Sequence, residues 1–249
     1  MDKQLKDSSL EQAHLDFIST VSHELRTPLT SIRGFADTLI TSFEKLSPEQ
    51  RMKFLTIIKD QSNRLIDLVE NLLMVSKMQS DKESFIYRSI DIDEVIDLSI
   101  QVIKAQYKSH KFIYKKSKNI PNVFVDIDKC QQILINILDN AAKYSDPESD
   151  IAISVKLSRD CTFVSVNIED SGIGIPEEYL NKIFEKFSRI DSPLTRKIQG
   201  SGLGLYITKG LVEKMNGRIA VKSDDKGSCF SVEFPVTLIE DACRNRLKK

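Results

Sequence analysis

The chain has 249 residues, 41% hydrophobic and 29% charged, which suits one large or two small globular domains. Lysine plus arginine and aspartate plus glutamate each number 36, so no bulk field favours nucleic acid or an anionic membrane. The four cysteines (Cys130, Cys161, Cys229, Cys243) form no CxxC pair, which fits reduced thiols better than a disulfide framework or zinc site. No apolar run approaches the ~20 residues a membrane-spanning helix needs, and the amino terminus is charged rather than signal-like. The expectation is a cytoplasmic chain, free-standing or the cytosolic portion of a membrane-anchored sensor.

Residues 1–80 carry helical periodicity throughout. Phe17, Val21, Leu25, Pro28, Ile32, Phe35 and Leu39 share one face, within an arc of roughly 80° at about 100° per residue. His23 falls about 160° from the centre of that face, among Asp16, Thr20, Thr27, Ser31 and Gly34, and so points to solvent. An exposed imidazole is nucleophilic near neutral pH, and the adjacent Glu24 could orient it or take its proton. Pro28 predicts a kink one turn beyond the histidine, and the first helix should end near Ser42.

Ser47-Pro48-Glu49-Gln50 then supplies an N-cap serine, proline at the first helical position and a glutamine three residues on. The second helix carries Met52, Leu55, Ile58, Leu65, Leu68, Leu72, Val75 and Met78 at three- and four-residue steps. Such a hairpin cannot bury both stripes alone, so dimerisation through residues 10–80 into a four-helix bundle is expected. Gln79–Ser84 begins a linker, placed over 81–90.

Beyond it, helix and strand signals mix. Ile92–Gln106 and Lys129–Tyr144 read as helices, and 151–157 with 162–168 as a strand pair. Residues 217–222 and 228–236 form a second pair, and Leu205–Met215 a third helix. The second domain, 91–238, is expected to be an α+β sandwich with helices on one face of a mixed sheet, followed by a polar tail over 239–249.

Four groups of residues there suggest chemistry. On the helix around residues 130–144, Gln132, Asn136, Asp139, Asn140 and Lys143 crowd opposite Ile133, Leu134, Ile137, Leu138 and Ala141. That polar arc fits either a solvated face or a magnesium-phosphate site, and asparagine is a poor helix former. Asp170-Ser171-Gly172-Ile173-Gly174 and Gly200-Ser201-Gly202-Leu203-Gly204-Leu205 are either tight turns or backbone that approaches a ligand. Between them Phe184 and Phe187 are core aromatics or anchors of a long polar loop containing Arg189, Arg196, Lys197 and Gln199.

In this order the motifs resemble those of the sensor histidine kinases of two-component signalling, over roughly residues 10–237. His23-Glu24-x-x-Thr27-Pro28 resembles the phosphoacceptor box, and Asn136-x3-Asn140-x2-Lys143-Tyr144 the N box. Asp170-x-Gly172-x-Gly174 resembles the first glycine box, Phe184-x2-Phe187 the F box, and Gly200-x-Gly202-x-Gly204-Leu205 the second. The resemblance implies a GHKL (Bergerat) ATP-binding fold, with Asp170 on the adenine amino group. Asn136, helped by Asn140, would hold Mg2+, and Lys143 and Arg189 would meet phosphates. His23 would attack the γ-phosphate, with Glu24 bonded to its other ring nitrogen, and pass the phosphoryl group to a response-regulator receiver domain. Thr27 would align a water for regulator dephosphorylation. Two rivals remain: another ATPase of the same superfamily (gyrase-, Hsp90- or mismatch-repair-like), or a nucleotide-binding dimeric scaffold. His14 and His110 have no motif partners.

Overall fold

The computed structural model describes residues 2–80, 83–190 and 200–237, with side chains from Phe17 onward. They form two compact units that divide between Lys77 and Met78. The tail over 239–249 lies outside the described residues, as do Arg196, Lys197 and Gln199 and the side chain of His14.

The first unit is a helical hairpin. Helix α1 spans Asp2–Ser42 and runs on through Pro28, a 3₁₀ turn covers Phe43–Lys45, and α2 spans Pro48–Gln79. The expected stripe on α1 holds: Pro28 is buried and the other six members are half-buried. Phe35 meets Phe54 of α2 with ring centroids 5.0 Å apart. The α2 stripe is only partly covered, since Met52 and Leu55 are exposed. Leu29, Ile40, Ile66, Val69 and Leu73 are exposed as well, which leaves a large apolar surface on the hairpin.

The connection is built as the sequence suggests. The Gln50 amide donates to Ser47 Oγ (3.2 Å), and Gln50 Oε1 accepts from the Ser47 amide (2.9 Å), a reciprocal capping box. Arg51 closes the turn from the other side: its Nε donates to the Phe43 carbonyl at 3.0 Å, and its guanidinium lies 4.0 Å from the Phe43 ring centre.

The second unit begins with β1 (Tyr87–Ile90), which pairs antiparallel with β3 (Val123–Asp126). The segment expected as a linker over 81–90 therefore contains a strand. Its partner lies more than thirty residues away, which local patterning does not reveal. Helix α3 (Ile92–Gln106) follows, then β2 (Lys111–Lys115), β3, α4 (Ile127–Tyr144), β4 (Asp150–Leu157) and β5 (Phe163–Asp170). Helix α5 (Gly204–Lys214) leads into β6 (Arg218–Asp224) and β7 (Gly227–Pro235).

The main sheet has the order β2-β4-β5-β7-β6, antiparallel except for the β2–β4 pair. Ile151, Ile153, Val155, Val164, Val166, Ile168, Val232 and Phe234 are buried on its inner face, beneath α3, α4 and α5. The outer face is polar; there Asn167 Oδ1 accepts from Ser231 (2.7 Å) and Ser165 (3.3 Å). No described helix is long and apolar enough to cross a membrane.

Replacing Ser47 with alanine removes one half of the capping box. The expected cost is about 1 kcal/mol, seen as a thermal midpoint about 2–4 °C lower; an unchanged midpoint would show the cap to be idle.

Candidate functional site

His23 is exposed on α1, as its position opposite the apolar stripe requires. Thr27, one turn later and also exposed, donates its hydroxyl to the His23 carbonyl at 3.2 Å. That leaves the Thr27 oxygen lone pairs available to a water beside the imidazole. Glu24 differs from expectation. Its carboxylate is not bonded to the histidine but paired with Arg64 of α2, Oε2 to Nη2 at 3.1 Å. Both side chains are about three-quarters buried, with side-chain exposures of 25% and 23%, so solvent screens this pair less than a fully exposed one. Glu24 sits one position after His23 on the helix, turned toward α2 while the imidazole faces outward.

In the second unit, α4 supplies the amides. Ile133, Leu134, Ile137, Leu138 and Ala141 are all buried, so the opposite side must carry the polar groups. Asn136 Nδ2 donates to Thr208 Oγ1 of α5 at 2.8 Å, which turns the Asn136 carbonyl oxygen toward the start of that helix. There Gly204 comes so close that a Cβ at this position would lie 2.4 Å from Asn136 Oδ1. Only glycine lets the second glycine box abut the amide.

Lys143 is held by Asp139, Nζ to Oδ2 at 2.5 Å. Asp139 also accepts from the Tyr107 hydroxyl at 2.8 Å, and burial together with this carboxylate pushes the phenol well above its ordinary range. His110 packs edge-on against the Tyr107 ring, centroids 5.7 Å apart.

Asp170 ends β5 and is buried. Its Oδ1 accepts two backbone amides, Gly172 at 2.9 Å and Ser228 at 3.2 Å. Burial pushes the carboxyl up, against the pull of those two amides. With Oδ1 doubly used, Oδ2 is the acceptor left for a ligand's N–H.

Phe184 is half-buried, with Lys209 Nζ 5.8 Å from its ring centre; Ile183, its neighbour, is the residue that fills the core. Phe187 sits at φ 58°, a conformation rare for an aromatic residue. A Cβ on Gly202 would come within 2.7 Å of the Phe187 backbone, so the F box and second glycine box are pressed together. Arg189 is exposed, Gly200 has open space around it, and Leu205 and Tyr144 are half-buried.

Three contributors escaped the sequence: Arg64, Thr208 and Ser228. Thr208 stands four residues after Gly204, a spacing that marks a shared helix face but names no partner in α4. Arg64 and Ser228 meet their carboxylates only through the tertiary fold.

The donor set fits magnesium carried on a polyphosphate. Asn136 presents a neutral oxygen, Asn140 stands one turn on, and Mg2+ takes few protein ligands when phosphates and water supply the rest. Among the described residues no cluster of three His, Cys, Asp or Glu side chains offers an all-protein cage.

A mixed sheet roofed by three helices, with a buried aspartate, asparagines on a helix and glycine-rich loops, has the make-up of an ATP-binding module of the kind that kinases share with several ATPases. Comparison with known proteins agrees. Residues 125–238 match the histidine kinase-, DNA gyrase B- and HSP90-like ATPase family, and residues 13–81 the His Kinase A (phospho-acceptor) domain. The sensor protein kinase WalK of Staphylococcus aureus is 35% identical over 240 residues, 95% of this chain and 57% of that sequence. WalK of Staphylococcus haemolyticus is 33% identical over 240 residues, again 95% of this chain but 39% of the relative. Histidine kinase ThkA, solved in complex with the response regulator TrrA, shares the fold at TM-score 0.70 and 23% identity, over 94% of this chain and 66% of that one. The chain belongs to the sensor histidine kinases of two-component signalling, and it spans well under two thirds of the length of the curated relatives it matches.

Asp170→Asn keeps an oxygen for both amides and removes a charge whose burial is unfavourable. A group held above its usual value favours folding below that value and opposes it once ionised. The variant should therefore melt no lower than the wild type at neutral pH, yet bind ATP about ten- to a hundredfold more weakly; calorimetry and equilibrium binding measure the two effects separately.

Proposed function

We propose that the chain is an ATP-dependent protein-histidine autokinase. A ring nitrogen of His23 attacks the γ-phosphorus in line, an N–P bond forms, the bond to the bridging oxygen breaks and ADP leaves. The proton from the other ring nitrogen passes to Glu24 or to water. Because Glu24 is paired with Arg64 here, the first route requires the carboxylate to exchange partners. The phosphoryl group then moves to an aspartate of a response-regulator receiver domain.

The observation that carries this reading is the joint presence of exposed His23 and Thr27 on a hairpin with uncovered apolar surface and a separate unit with the asparagines, Asp170 and glycine boxes. A superfamily ATPase accounts for the second unit alone, and a dimeric scaffold gives no reason for the exposed His23 and Thr27. Asp170 would accept a hydrogen bond from the adenine amino group, Asn136 and Asn140 would hold magnesium, and Lys143 and Arg189 would approach the phosphates. The magnesium ion would neutralise charge developing on the phosphate oxygens. For Lys143 this means leaving or sharing Asp139. Catalysis by these residues is positioning and charge neutralisation.

The uncovered face of the hairpin supports a homodimer through residues 10–80, packed as a four-helix bundle. An ATP substrate and a receiver-domain partner support a cytoplasmic location, either as a free-standing chain or as the cytosolic portion of a membrane-anchored sensor. The exposed Thr27 hydroxyl supports a second activity, removal of phosphate from the regulator.

Incubation with γ-labelled ATP and magnesium should label the chain in a form that survives alkali, is lost in acid and is missing from His23→Ala. Label unchanged in the variant, or ATP hydrolysis without label, would favour the rival ATPase. For the second activity, Thr27→Ala should retain autophosphorylation while slowing regulator dephosphorylation about tenfold or more, read as the lifetime of the phosphorylated receiver.

A further inference from the structure

The buried Asp170 is held by two chain segments that meet at one hydroxyl. One segment is the loop after β5, which contributes the Gly172 amide; the other is the start of β7, just after the β6–β7 turn, which contributes the Ser228 amide. Ser223, opposite Ser228 in the β6–β7 register, joins them. Its Oγ accepts from the Ile175 amide at 2.8 Å, donates to the Gly227 carbonyl at 2.7 Å and lies 2.9 Å from Ser228 Oγ. A serine hydroxyl has one proton, and at Gly227 the acceptor has none to give. The Asp224 carbonyl, at 3.5 Å, is the poorer claimant. The bond between the two serines therefore takes its proton from Ser228, and the donor and both acceptor positions of Ser223 are all used.

The packing leaves no slack around this joint. A Cβ on Gly174 would lie 1.8 Å from the Asp224 carbonyl oxygen, and one on Gly227 would lie 2.0 Å from the Asp170 carbonyl oxygen. Both glycines have positive φ, +68° and +144°, so the close approach and the backbone conformation demand the same residue.

We propose that Ser223 is a positioning residue that sets nucleobase choice through Asp170; this rests on the ATP reading above. With Oδ1 saturated by two amides, Oδ2 faces a base purely as an acceptor. Adenine offers an exocyclic amino group, a donor. At the equivalent ring position guanine offers a carbonyl, whose lone pairs meet the carboxylate unfavourably. Discrimination of this kind depends on the acceptor being unable to turn or withdraw. Without Ser223 the Ile175 amide and the Gly227 carbonyl lose their common partner, the two segments are no longer tied, and the carboxylate loses its fixed orientation. Ser223 acts through the backbone alone, because its hydroxyl is fully engaged by protein groups.

The test is equilibrium binding of magnesium-ATP and magnesium-GTP to the full chain, as wild type, Ser223→Ala and Ser223→Thr. The wild type should prefer ATP. Ser223→Ala should raise the ATP Kd about tenfold and leave the GTP Kd within about twofold, so that selectivity contracts. Ser223→Thr, which keeps the hydroxyl, should restore it. In labelling assays the alanine variant should show a raised KM for ATP and kcat within about twofold of wild type.

Equal weakening of both nucleotides, or unchanged ATP affinity in Ser223→Ala, would overturn the proposal. If the alanine variant is poorly folded, Ser223→Cys, similar in size but a weak hydrogen-bonder, must show the same contraction or the proposal fails. A wild type that binds neither nucleotide overturns the ATP reading and this inference with it. That failure is distinct from a selective wild type whose selectivity survives Ser223→Ala.

Discussion

Helix α4 has to satisfy two environments at once, and the rest of the second unit is arranged around that demand. Its apolar side is sealed against the sheet, with Ile133 and Ile137 fully buried. Asn136 and Asn140 occupy the other side although asparagine is a poor helix former. What offsets them is anchoring. Asp126 caps the first turn, accepting from the Asp128 and Lys129 amides at 3.0 and 3.1 Å. At mid-helix, Thr208 of α5 orients Asn136. Near the end, Asp139 ties Lys143 and Tyr107 together. The helix is pinned at its start, middle and end by side chains outside its apolar stripe, so its polar face keeps a defined shape without a ligand.

The same site carries groups that oppose stability. Asp170 is a carboxylate in the interior with a raised proton affinity, and Phe187 has a backbone conformation that suits few aromatic residues. Both persist because their neighbours leave no alternative: the glycines beside them bring the backbone in too closely for any other packing. Both lie at the candidate site, as expected where function and stability compete.

Much of this could be read from residue order, because the informative features are local. The α1 stripe, the Ser47–Gln50 box, the two-sided pattern of α4 and both antiparallel hairpins of the sheet depend on periodicities of 3.6 and 2, and the folded chain reproduces them. The parts that stayed hidden depend on partners distant in sequence. Strand β1 is not legible in the sequence, because its four residues, Tyr87 to Ile90, show no strong alternation and pair only with β3. Strands β2 and β3 are likewise short and mixed in character. Glu24 looked like a partner for the adjacent histidine; its proximity to Arg64, forty residues on, depends on how the two hairpin helices face each other. The glycine boxes announced a close approach, but not that at Gly204 and Gly174 the neighbour is protein rather than ligand.

The strand mistaken for linker changes how force travels through the molecule. The chain arriving at the second unit is fastened twice to the beginning of α4. Glu83 pairs with Lys129, and the Ile86 amide donates at 2.7 Å to Asp126 Oδ2, the second oxygen of the carboxylate that caps the helix. A slack tether would absorb tension by straightening. This one delivers tension to the root of the helix that bears Asn136 and Asn140, so a pull upstream of residue 83 acts as a load on the start of α4.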